Sequence, residues 1–571
     1  MTEFNPENEY FELLKTWCDA LIRYQLDMPE FPEFDGGIAC PSCKMIHGRC
    51  HDAIYPMMTM YSRTGDEKYL LSAKKLFKWG ANMLCDDGSL YNDAQSVWNG
   101  ITVFNAVGLH DALVHHGHLL DDETRRAWEE RLAAMGSWLY LHLTPVMKTN
   151  INYFCTNACA MALIGKYFGN ADYLSLAKSL SRLAIDHLSE NGLLFGEGQP
   201  NDARTVKGCR PIDTGYNVEE SMPSLIRYAE AAGDEEALEI FTKSYRAHLE
   251  LMLPDGAWDN SFGTRNFKWT YWGGRTSDGC QEVMNYLGKK DPVFAEAGYR
   301  NFKLYKQFTR DGLLFGGRDY KAHGEYPCTH HTFCHAKVLA SVLDSGVCCF
   351  ERTELPSDRP EEAKYYPELD MWRVAEGGWR ADVTAYDFFY MRGGHTSGGS
   401  LSLLWNEKYG PVIAAGTADY TLREAHNQQL SLKKADHLSA VPRMETEIGG
   451  VRYGQHYDFS AGMSCRAEGG RVLIHTEAHL ANDNREILDG SACSIDYLFE
   501  KDRVTISGTM PAQIKNVCYK LPVISGTACV KLTKGSLQGA SVKMFNLNPG
   551  FICDEYTVLP AEDGTFTLEI V

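Results

Sequence analysis

Residues 64–93 read TGDEKYLLSAKKLFKWGANMLCDDGSLYND, and the layout of this stretch recurs three times before residue 350. Each copy has a small or polar turn, an amphipathic stretch of about 15 to 20 residues, and Asp-Gly or Asn-Gly followed by aromatic residues. The other copies are FGNADYLSLAKSLSRLAIDHLSENGLLFGEGQ (168–199), AGDEEALEIFTKSYRAHLELMLPDGAWDNSFG (232–263) and GKKDPVFAEAGYRNFKLYKQFTRDGLLFGGRDY (288–320).

The spacing of these copies predicts a ring of helical hairpins. Their landmark glycines are Gly88, Gly192, Gly256 and Gly312. A further amphipathic stretch at 121–142 fills the wide first gap, and apolar helical stretches lie between the copies at 95–116, 152–168, 217–232 and 330–343. Repeats of about 50 to 60 residues indicate stacked supersecondary units. We therefore predict an (α/α)6 toroid over residues 1–350, with the amphipathic helices outside and their Asp-Gly loops on one rim.

The periodicity changes after Cys349. Residues 351–370 are charged and contain proline, which is typical of a linker. Beyond them, alternation of period two appears in segments such as SLSLLWN, RVLIHTEAHL, DRVTISGTM and TFTLEIV. We predict a large antiparallel β-sandwich domain over residues 371–571.

The composition excludes several classes of protein. The 571 residues are 44% hydrophobic and 23% charged, as in a folded globular protein, and the formal net charge is −19. Such a charge disfavours nucleic acid and membrane surfaces as partners, although a few local cations can still bind a small anionic substrate. The N-terminal stretch has no secretory pattern, and the 18 cysteines lie largely in apolar runs. These features predict a cytoplasmic protein and leave its oligomeric state open.

The richest candidate site is the segment GEGQPNDARTVKGCRPIDTGYNVEESMP, residues 196–223. Long loops rich in glycine and mixed charge within a compact domain are commonly binding loops. Its candidate residues are Glu197, Asp202, Arg210, Asp213, Tyr216, Glu219 and Glu220. A solvated acidic loop is the alternative, since Asn217 and Glu220 have the spacing of a capping box.

A second candidate segment, NSFGTRNFKWTYWGGRTSDG, spans residues 260–279. Trp269, Tyr271 and Trp272 could stack on sugar rings, and Arg265 and Arg275 could hold a carboxylate bidentately. Core aromatics beneath a loop are the alternative interpretation.

Two inner helices carry further polar candidates. Asn152 and Asn157 lie in an apolar helical stretch, where a buried amide has either a structural partner or a substrate to polarise. His330 and His331 begin the last predicted toroid helix, and one of them could act as an acid or base.

The segment CPSCKMIHGRCHDAIYP combines Cys40, Cys43 and His47 with Arg49. The cysteine spacing and the nearby histidine could complete a small structural zinc site, although His47 and Arg49 could instead face the cleft. The sequence has no nucleotide-binding or serine-hydrolase motif in the required context, so no cofactor is expected for catalysis.

A helical toroid followed by a β domain resembles the heparinase II/III-like polysaccharide lyases, and the segment RGGHTSGGSLSLLWNEKYGPVIAAG (392–416) is similar to the start of their second domain. CPSCKMIHGRCHDAIYP and IDTGYNVEESMP more closely resemble the β-glucuronidases of glycoside hydrolase family 154. This resemblance implies an exo-acting enzyme that recognises uronic acids. Fold alone does not determine the reaction.

Our main hypothesis is a glycoside hydrolase that removes a terminal uronic acid, such as β-linked glucuronate, from oligosaccharides. Glu219 or Glu220 would be the general acid and Asp213 or Asp202 the base that activates water. The uronate would be held by Arg49, Arg210, Arg265 or Arg275, and the sugar would stack on Trp269 and Trp272.

The alternative is a lyase that cleaves the same kind of glycan by β-elimination. Asn152 or Asn157 would then neutralise the uronate carboxylate, and a tyrosine (Tyr216 or Tyr271) or a histidine (His330 or His331) would remove the C5 proton. The lyases that this chain resembles pair such an asparagine with a histidine, which is missing beside NINYF and TNAC. A third hypothesis is a glycan-binding scaffold without catalysis.

Overall fold

The structure is a computed structural model, and it describes residues 3–94, 96–359, 363–390, 395–416 and 439–571. Its α-helices, numbered in chain order, are α1 (Glu7–Tyr24), α2 (Ile54–Thr64), α3 (Glu67–Trp79), α4 (Thr102–His116), α5 (Asp122–His142), α6 (Ile151–Phe168), α7 (Ala171–Ile185), α8 (Thr214–Tyr216), α9 (Met222–Ala232), α10 (Glu235–His248), α11 (Gln281–Gly288), α12 (Pro292–Phe308), α13 (Tyr320–His323) and α14 (Thr329–Asp344).

Twelve of the described helices form six packed pairs. Five pairs are consecutive in the chain, namely α2 with α3, α4 with α5, α6 with α7, α9 with α10 and α11 with α12, whereas the sixth joins α14 to α1. The inner members pack in a closed circuit, α2–α4–α6–α9–α11–α14 and back to α2. The predicted (α/α)6 toroid is therefore confirmed.

The turns inside three of the hairpins share one local mechanism. Gly65 and Gly169 end α2 and α6 in the left-handed region, each with φ of 68°, where an L side chain is strained. The next residues, Asp66 and Asn170, accept hydrogen bonds from the first backbone amides of α3 and α7. The Gly-Asp and Gly-Asn pairs of the repeat therefore end one helix and start the next.

The loop glycines of the repeat rest on the neighbouring outer helix. A Cβ added to Gly256, which follows α10, would lie 2.4 Å from the backbone carbon of Arg300 in α12. A Cβ on Gly312, which follows α12, would lie 2.8 Å from the Cβ of Ala20 in α1. Glycine is therefore needed where each loop approaches the next helix, and the last contact closes the ring.

The strands follow the helices. They are β1 (Trp269–Thr270), β2 (Gly273–Gly274), β3 (Thr309–Arg310), β4 (Leu313–Leu314), β5 (Ala363–Tyr366), β6 (Met371–Glu376), β7 (Trp379–Thr384), β8 (Ser400–Asn406), β9 (Gly410–Ala414), β10 (Arg443–Ile448), β11 (Val451–Gly454), β12 (Gly462–Ala467), β13 (Arg471–Ala478), β14 (Cys493–Glu500), β15 (Arg503–Thr509), β16 (Cys518–Ile524), β17 (Val530–Lys534), β18 (Ser536–Leu537), β19 (Val542–Asn546), β20 (Phe551–Leu559) and β21 (Thr565–Ile570).

Three antiparallel sheets make the second part of the described chain. Their orders are β5-β6-β7-β8-β9, β11-β10-β16-β20-β18 with β19 beside β20, and β12-β13-β14-β15-β21-β17. All three contribute to one core, in which residues such as Val383, Tyr497, Leu521 and Phe566 are completely buried. The predicted β-sandwich is confirmed, and its inward residues alternate along β14 and β21.

Several boundaries differ from the predicted ones. The helix expected from 95 begins at Thr102, after an irregular loop, and Gln95 lies outside the described residues. The predicted linker contains β5, which pairs with β6. Residues 360–362 of that linker and 392–394 of the lyase-like segment (392–416) are also outside the described part. The boundaries of the two domains stay a prediction.

Within the described ranges, no helix combines the length and apolar character needed to cross a bilayer. The cellular compartment stays a prediction.

Candidate active site

The polar candidates gather where the inner helices begin. In chain order they are Arg49 and Asp52 before α2, Asn152 in the first turn of α6, Tyr216 and Glu220 ahead of α9, Asp278 ahead of α11, and His330 in the first turn of α14. The β part contacts this rim, since the Asn266 side chain donates to Ala415 O at 3.1 Å. The toroid therefore brings residues more than 200 positions apart into one buried site, as the bond from Arg49 to Thr276 O (2.8 Å) shows.

Tyr216 lies among cations. Its hydroxyl accepts a hydrogen bond from Lys268 Nζ at 3.3 Å and is also hydrogen-bonded to Thr276 Oγ1. The guanidinium of Arg265 lies 3.6 Å from the centre of its ring. Asp213 fixes this arrangement, because its carboxylate accepts from the backbone amides of Tyr216 (3.1 Å) and Arg265 (3.0 Å). A negative charge on the phenol oxygen would be stabilised by both cations.

Asp213 is thus not placed as a free base. It caps α8, and its second oxygen also accepts from Asn260 Nδ2 at 3.2 Å. Asp202, the other predicted base, is exposed and pairs with Arg210 at 2.7 Å. Neither carboxylate has the position that water activation in the buried site requires.

Glu197 is the acidic partner of Arg265. The two side chains are buried, with 2.8 Å between Arg265 Nη2 and Glu197 Oε2. Burial raises the pKa of Glu197 to about 7, against the opposing charge of Arg265. The pair fixes the guanidinium over Tyr216, with Glu197 close to the point where its charge changes at neutral pH.

Arg49 is the centre of a second charged group. It donates to Asp52 Oδ2 at 2.7 Å and contacts Asp278, while Lys337 of α14 donates to Asp278 Oδ2 at 2.9 Å and to Asp52 Oδ2 at 3.3 Å. Burial acts against ionisation of Asp278, but Arg49 and Lys337 lower its pKa below the usual value. The group therefore pairs two basic with two acidic side chains, and it joins the starts of α2 and α11 to the middle of α14.

Glu220 and Asn152 form the uncharged side of the site. The Asn152 amide donates to Glu220 Oε1, and both residues are buried. Burial, together with the nearby charge of Asp278, raises the pKa of Glu220 to about 8. Among the described residues, Glu220 Oε2 and Asn152 Oδ1 have no hydrogen-bond partner. At neutral pH a protonated carboxyl group therefore lies beside a primary amide, a combination that can hydrogen-bond a carboxylate.

Glu219 has a structural role instead of the predicted acid role. Its carboxylate accepts hydrogen bonds from Gly274 N at 2.7 Å, Ser277 Oγ at 2.6 Å and Tyr305 Oη at 2.8 Å. With both carboxylate oxygens occupied by these three donors, Glu219 fixes the β1–β2 hairpin.

Two predicted uronate clamps serve other contacts. Arg275 is completely buried and donates to Asn548 Oδ1 at 2.8 Å and to Leu547 O at 2.6 Å, so that it ties the toroid to the β part. Arg210 lies over the Phe195 ring, 4.3 Å from its centre, and pairs with Asp202. Arg49 and Arg265 are the predicted arginines that the fold brings to the site.

The predicted stacking platform is also internal. Trp269 and Trp272 are completely buried and donate to Trp258 O at 2.8 Å and Phe315 O at 2.9 Å. Their rings fill the core beneath the hairpin, so neither presents a face to a sugar. Tyr271, the other predicted proton acceptor, donates to Asp255 Oδ2 at 2.8 Å and is buried as well.

Asn157 similarly has a structural partner. Its amide donates to Leu143 O at 2.7 Å and thereby closes the end of α5. Asn152 reaches the candidate site and Asn157 does not, because only Asn152 lies in the first turn of α6.

The two histidines of α14 differ in their surroundings. His331 packs edge-on against Trp272, with 5.5 Å between ring centres. His330 lies 5.2 Å from the His47 ring, and its ring nitrogens have no hydrogen-bond partner within the described part of the chain. Burial and the nearby charge of Arg49 lower the pKa of His330 well below its usual value, which keeps the imidazole neutral.

The predicted Cys-His cluster is assembled, with one addition. Cys40, Cys43 and His47 lie together with Cys328, and all four are buried with their ligand atoms within 4.8 Å of one another. This arrangement is compatible with a structural metal.

Four site residues were missed by the sequence reasoning, namely Lys268, Thr276, Asp278 and Lys337. Lys337 had a detectable signal, because it is a lysine within the apolar helix that begins at Thr329. Lys268 and Asp278 lie in the second candidate segment (260–279), whose tryptophans and arginines give the stronger sequence signal.

Comparison with protein-family profiles finds matches that together cover nearly the whole chain. The profile of the ulvan lyase N-terminal domain matches residues 14–359, and that of the ulvan lyase C-terminal domain matches residues 363–551. A broad-specificity ulvan lyase from Formosa agariphila is 38% identical over 527 residues, which cover 90% of this chain and 82% of that protein.

Structural comparison finds two distant resemblances. The heparan sulfate lyase HepC from Pedobacter heparinus is 10% identical, with 91% of this chain and 76% of that chain covered and a TM-score of 0.45. The chondroitin AC lyase of Streptomyces coelicolor A3 is 12% identical, with 99% and 82% covered and a TM-score of 0.49.

Proposed function

The chain belongs to the ulvan lyase family, and on this premise we propose that it is a polysaccharide lyase that cleaves ulvan or a similar uronate-containing glycan by β-elimination. It is a carbohydrate-active enzyme, and elimination is the reaction for which its buried site has suitable groups.

Family membership corrects the main sequence-based hypothesis. The prediction of a glycoside hydrolase with β-glucuronidase activity is wrong, because the domain profiles and the 38% identical relative are those of lyases. The glycan-binding scaffold without catalysis is not supported either, since that relative is an enzyme.

Tyr216 is the proposed base. As the C5–H bond of the uronate breaks, the proton passes to the phenolate oxygen, the electron pair forms the C4–C5 double bond, and the C4–O4 bond breaks. The phenol then returns the proton to the departing O4, so that the reaction needs no external acid. The observation that carries this proposal is the placement of the Tyr216 oxygen 3.3 Å from Lys268 Nζ, with Arg265 over the ring. Both cations would stabilise negative charge on this oxygen.

The C5 proton is acidic enough to remove only when the charge of the adjacent carboxylate is offset. Asn152 and the protonated Glu220 have amide and hydroxyl donors that can bind this carboxylate. Tyr216 and Glu220 are four positions apart in a continuous helical segment, in which Asn217–Ser221 form a π-helical turn, so about one turn separates them. We infer that the uronate carboxylate is bound at Glu220 and Asn152, one helical turn from the base.

The test is to incubate the purified protein with ulvan and, separately, with a β-glucuronide. The proposal expects the ultraviolet absorbance of a C4–C5 unsaturated uronide from the polysaccharide, and no free glucuronate from the glucuronide. Shortening of ulvan chains without the double bond would contradict elimination, and binding without any product would restore the scaffold hypothesis.

A further inference from the structure

We propose that Cys40, Cys43, His47 and Cys328 bind one structural zinc ion, which fixes the segment before α2 to the start of α14. The inference does not depend on the proposed reaction. Three of these ligands were predicted as a cluster from their spacing, whereas the fourth, Cys328, lies 288 residues beyond Cys40 and is revealed only by the fold.

The distances match a tetrahedral site. Cys328 Sγ lies 3.6 Å from the sulfurs of both Cys40 and Cys43, and 3.9 Å from His47 Nε2. Around a zinc ion with Zn–S bonds of about 2.3 Å, a tetrahedron separates two sulfurs by about 3.8 Å. A disulfide needs a separation of about 2.0 Å, so these sulfurs lie at the spacing of metal ligands.

The local backbone has the form that such a site needs. Lys44 follows Cys43 in the left-handed region with φ of 57°, and its amide donates to Cys40 O at 3.0 Å. The Cys43 amide points at Cys40 Sγ at 3.4 Å, and a thiolate is stabilised by such a donor. The chain thus turns tightly enough for both sulfurs to face one point.

The chemistry of the ligand set selects zinc. Three thiols and one imidazole make a Cys3His set, which is a structural zinc combination, and all four residues are at least 96% buried. With four protein ligands there is no open position, so the metal would have no part in catalysis. The metal would instead fix the positions of Arg49 and His330, since His47 precedes Arg49 by two residues and Cys328 precedes His330 by two.

The first experiment is metal analysis of the full-length protein, produced with zinc in the medium and purified without a metal-affinity step. The expected result is one zinc per chain. After chelation under reducing conditions, Co²⁺ should give the intense sulfur-to-metal charge-transfer band and the visible absorption of a tetrahedral Cys3His site. Zinc should also raise the midpoint of thermal unfolding of the metal-free protein.

The variants Cys328→Ser and Cys43→Ser should each lose the stoichiometric zinc and weaken the charge-transfer band. Cys50→Ala is the matched control, because Cys50 is a buried cysteine of the same segment but outside the ligand group, and it should keep the metal. A wild-type protein without stoichiometric zinc that gives no cobalt charge-transfer band would overturn the proposal, even if the serine variants do not fold. A disulfide among Cys40, Cys43 and Cys328, found by mass spectrometry of the non-reduced protein, would also overturn it.

Discussion

Lys268 Nζ donates a hydrogen bond to the hydroxyl of Tyr216 across 3.3 Å, although the two residues are 52 positions apart. Tyr216 lies at the end of α8, and Lys268 lies in the loop segment between α10 and α11. This contact joins the proposed base to a cation from the segment that leads to the next hairpin of the ring.

Replacing Tyr216 with phenylalanine should remove the proton acceptor while leaving the ring packed under Arg265. We expect kcat to fall by about 10²- to 10⁴-fold, the usual contribution of a general base, with little change in the midpoint of thermal unfolding. The assay is the initial rate of unsaturated-uronide absorbance. Tyr228→Phe is the control, since it removes another hydroxyl, bonded to Asp234 at 3.0 Å, from a buried tyrosine of the neighbouring helix. Wild-type turnover in Tyr216→Phe would show that another group is the base.

Glu220 should make substrate binding dependent on pH. Its pKa of about 8 means that the carboxyl group is protonated at neutral pH and loses its donor as the pH rises through this value. KM for the polysaccharide should therefore increase above about pH 8, with the charges of Asp278, Arg49 and Arg265 around the group setting the exact position. Glu220→Gln keeps a neutral donor at every pH, so its KM should not show this rise. An alkaline increase in KM that persists in the glutamine variant would assign the effect to a different group.

The same carboxyl group should make stability fall as the pH rises, which is the opposite of a carboxylate whose pKa is lowered in the folded state. Its folded pKa of about 8 lies above the ordinary value of 4.5, so the folded state holds a proton that the unfolded state has lost. Its contribution is fully present below about pH 4.5 and is lost as the pH rises to about 8. Glu197, with a pKa of about 7, adds to this slope over a narrower range. Thermal unfolding midpoints measured across this range should decline less in Glu220→Gln than in the wild type; equal slopes would argue against a protonated Glu220.

We expect Arg275→Ala to lower the free energy of unfolding and to have little effect on substrate binding. The substitution removes the buried hydrogen bonds from Arg275 to Asn548 Oδ1 and to Leu547 O, although the Tyr320 hydroxyl still donates to Leu547 O at 2.9 Å. The loss of these bonds should cost about 1–3 kcal/mol. Arg359→Ala, which removes an exposed arginine at the junction of the two parts, should change stability by less than about 0.5 kcal/mol. Calorimetry of both variants gives the comparison. A raised KM in Arg275→Ala with an unchanged unfolding midpoint would restore the predicted uronate clamp.

Alanine substitutions at two glycines should distinguish the cost of backbone strain from the cost of a close packing contact. Gly233 has φ of 66° and open space around it, whereas Gly256 has φ of 92° and lies against Arg300. Gly233→Ala should cost about 1–2 kcal/mol, the strain of a left-handed L residue, and Gly256→Ala should cost clearly more. The measurement is the thermal unfolding midpoint, and equal losses would mean that the contact with α12 relaxes easily.

The helical ring was predictable because its signals are local. Gly65-Asp66 and Gly169-Asn170 end and start helices through their own backbone and side-chain preferences, and the repeat displays these pairs directly in the sequence. The strand β8 likewise coincides with the predicted segment SLSLLWN, although all seven of its residues are buried.

The partners of the polar residues were much less predictable. Glu219 and Glu220 are adjacent in the sequence, but their partners differ. Glu219 accepts from β2, from the loop that follows β2 and from α12, whereas Glu220 accepts from the amide of Asn152. The short π-helical turn from Asn217 to Ser221 contributes to this divergence, because it changes the direction in which successive side chains point. The sequence Glu219-Glu220 does not indicate which of the two carboxylates binds the β1–β2 hairpin.

The pairing of α1 with α14 has a consequence for synthesis of the chain. Leu14 and Leu21 of α1 are completely buried in the finished ring, and Trp17 donates to Thr309 Oγ1 at 2.9 Å. About 300 residues separate these partners, so at about 5–20 residues per second α1 waits roughly 15–60 s on the ribosome before α14 is made. During that interval the part of its apolar face that α14 covers in the finished ring is available to chaperones or to other nascent chains. The last helix of the ring to be translated therefore controls when the first helix becomes fully protected.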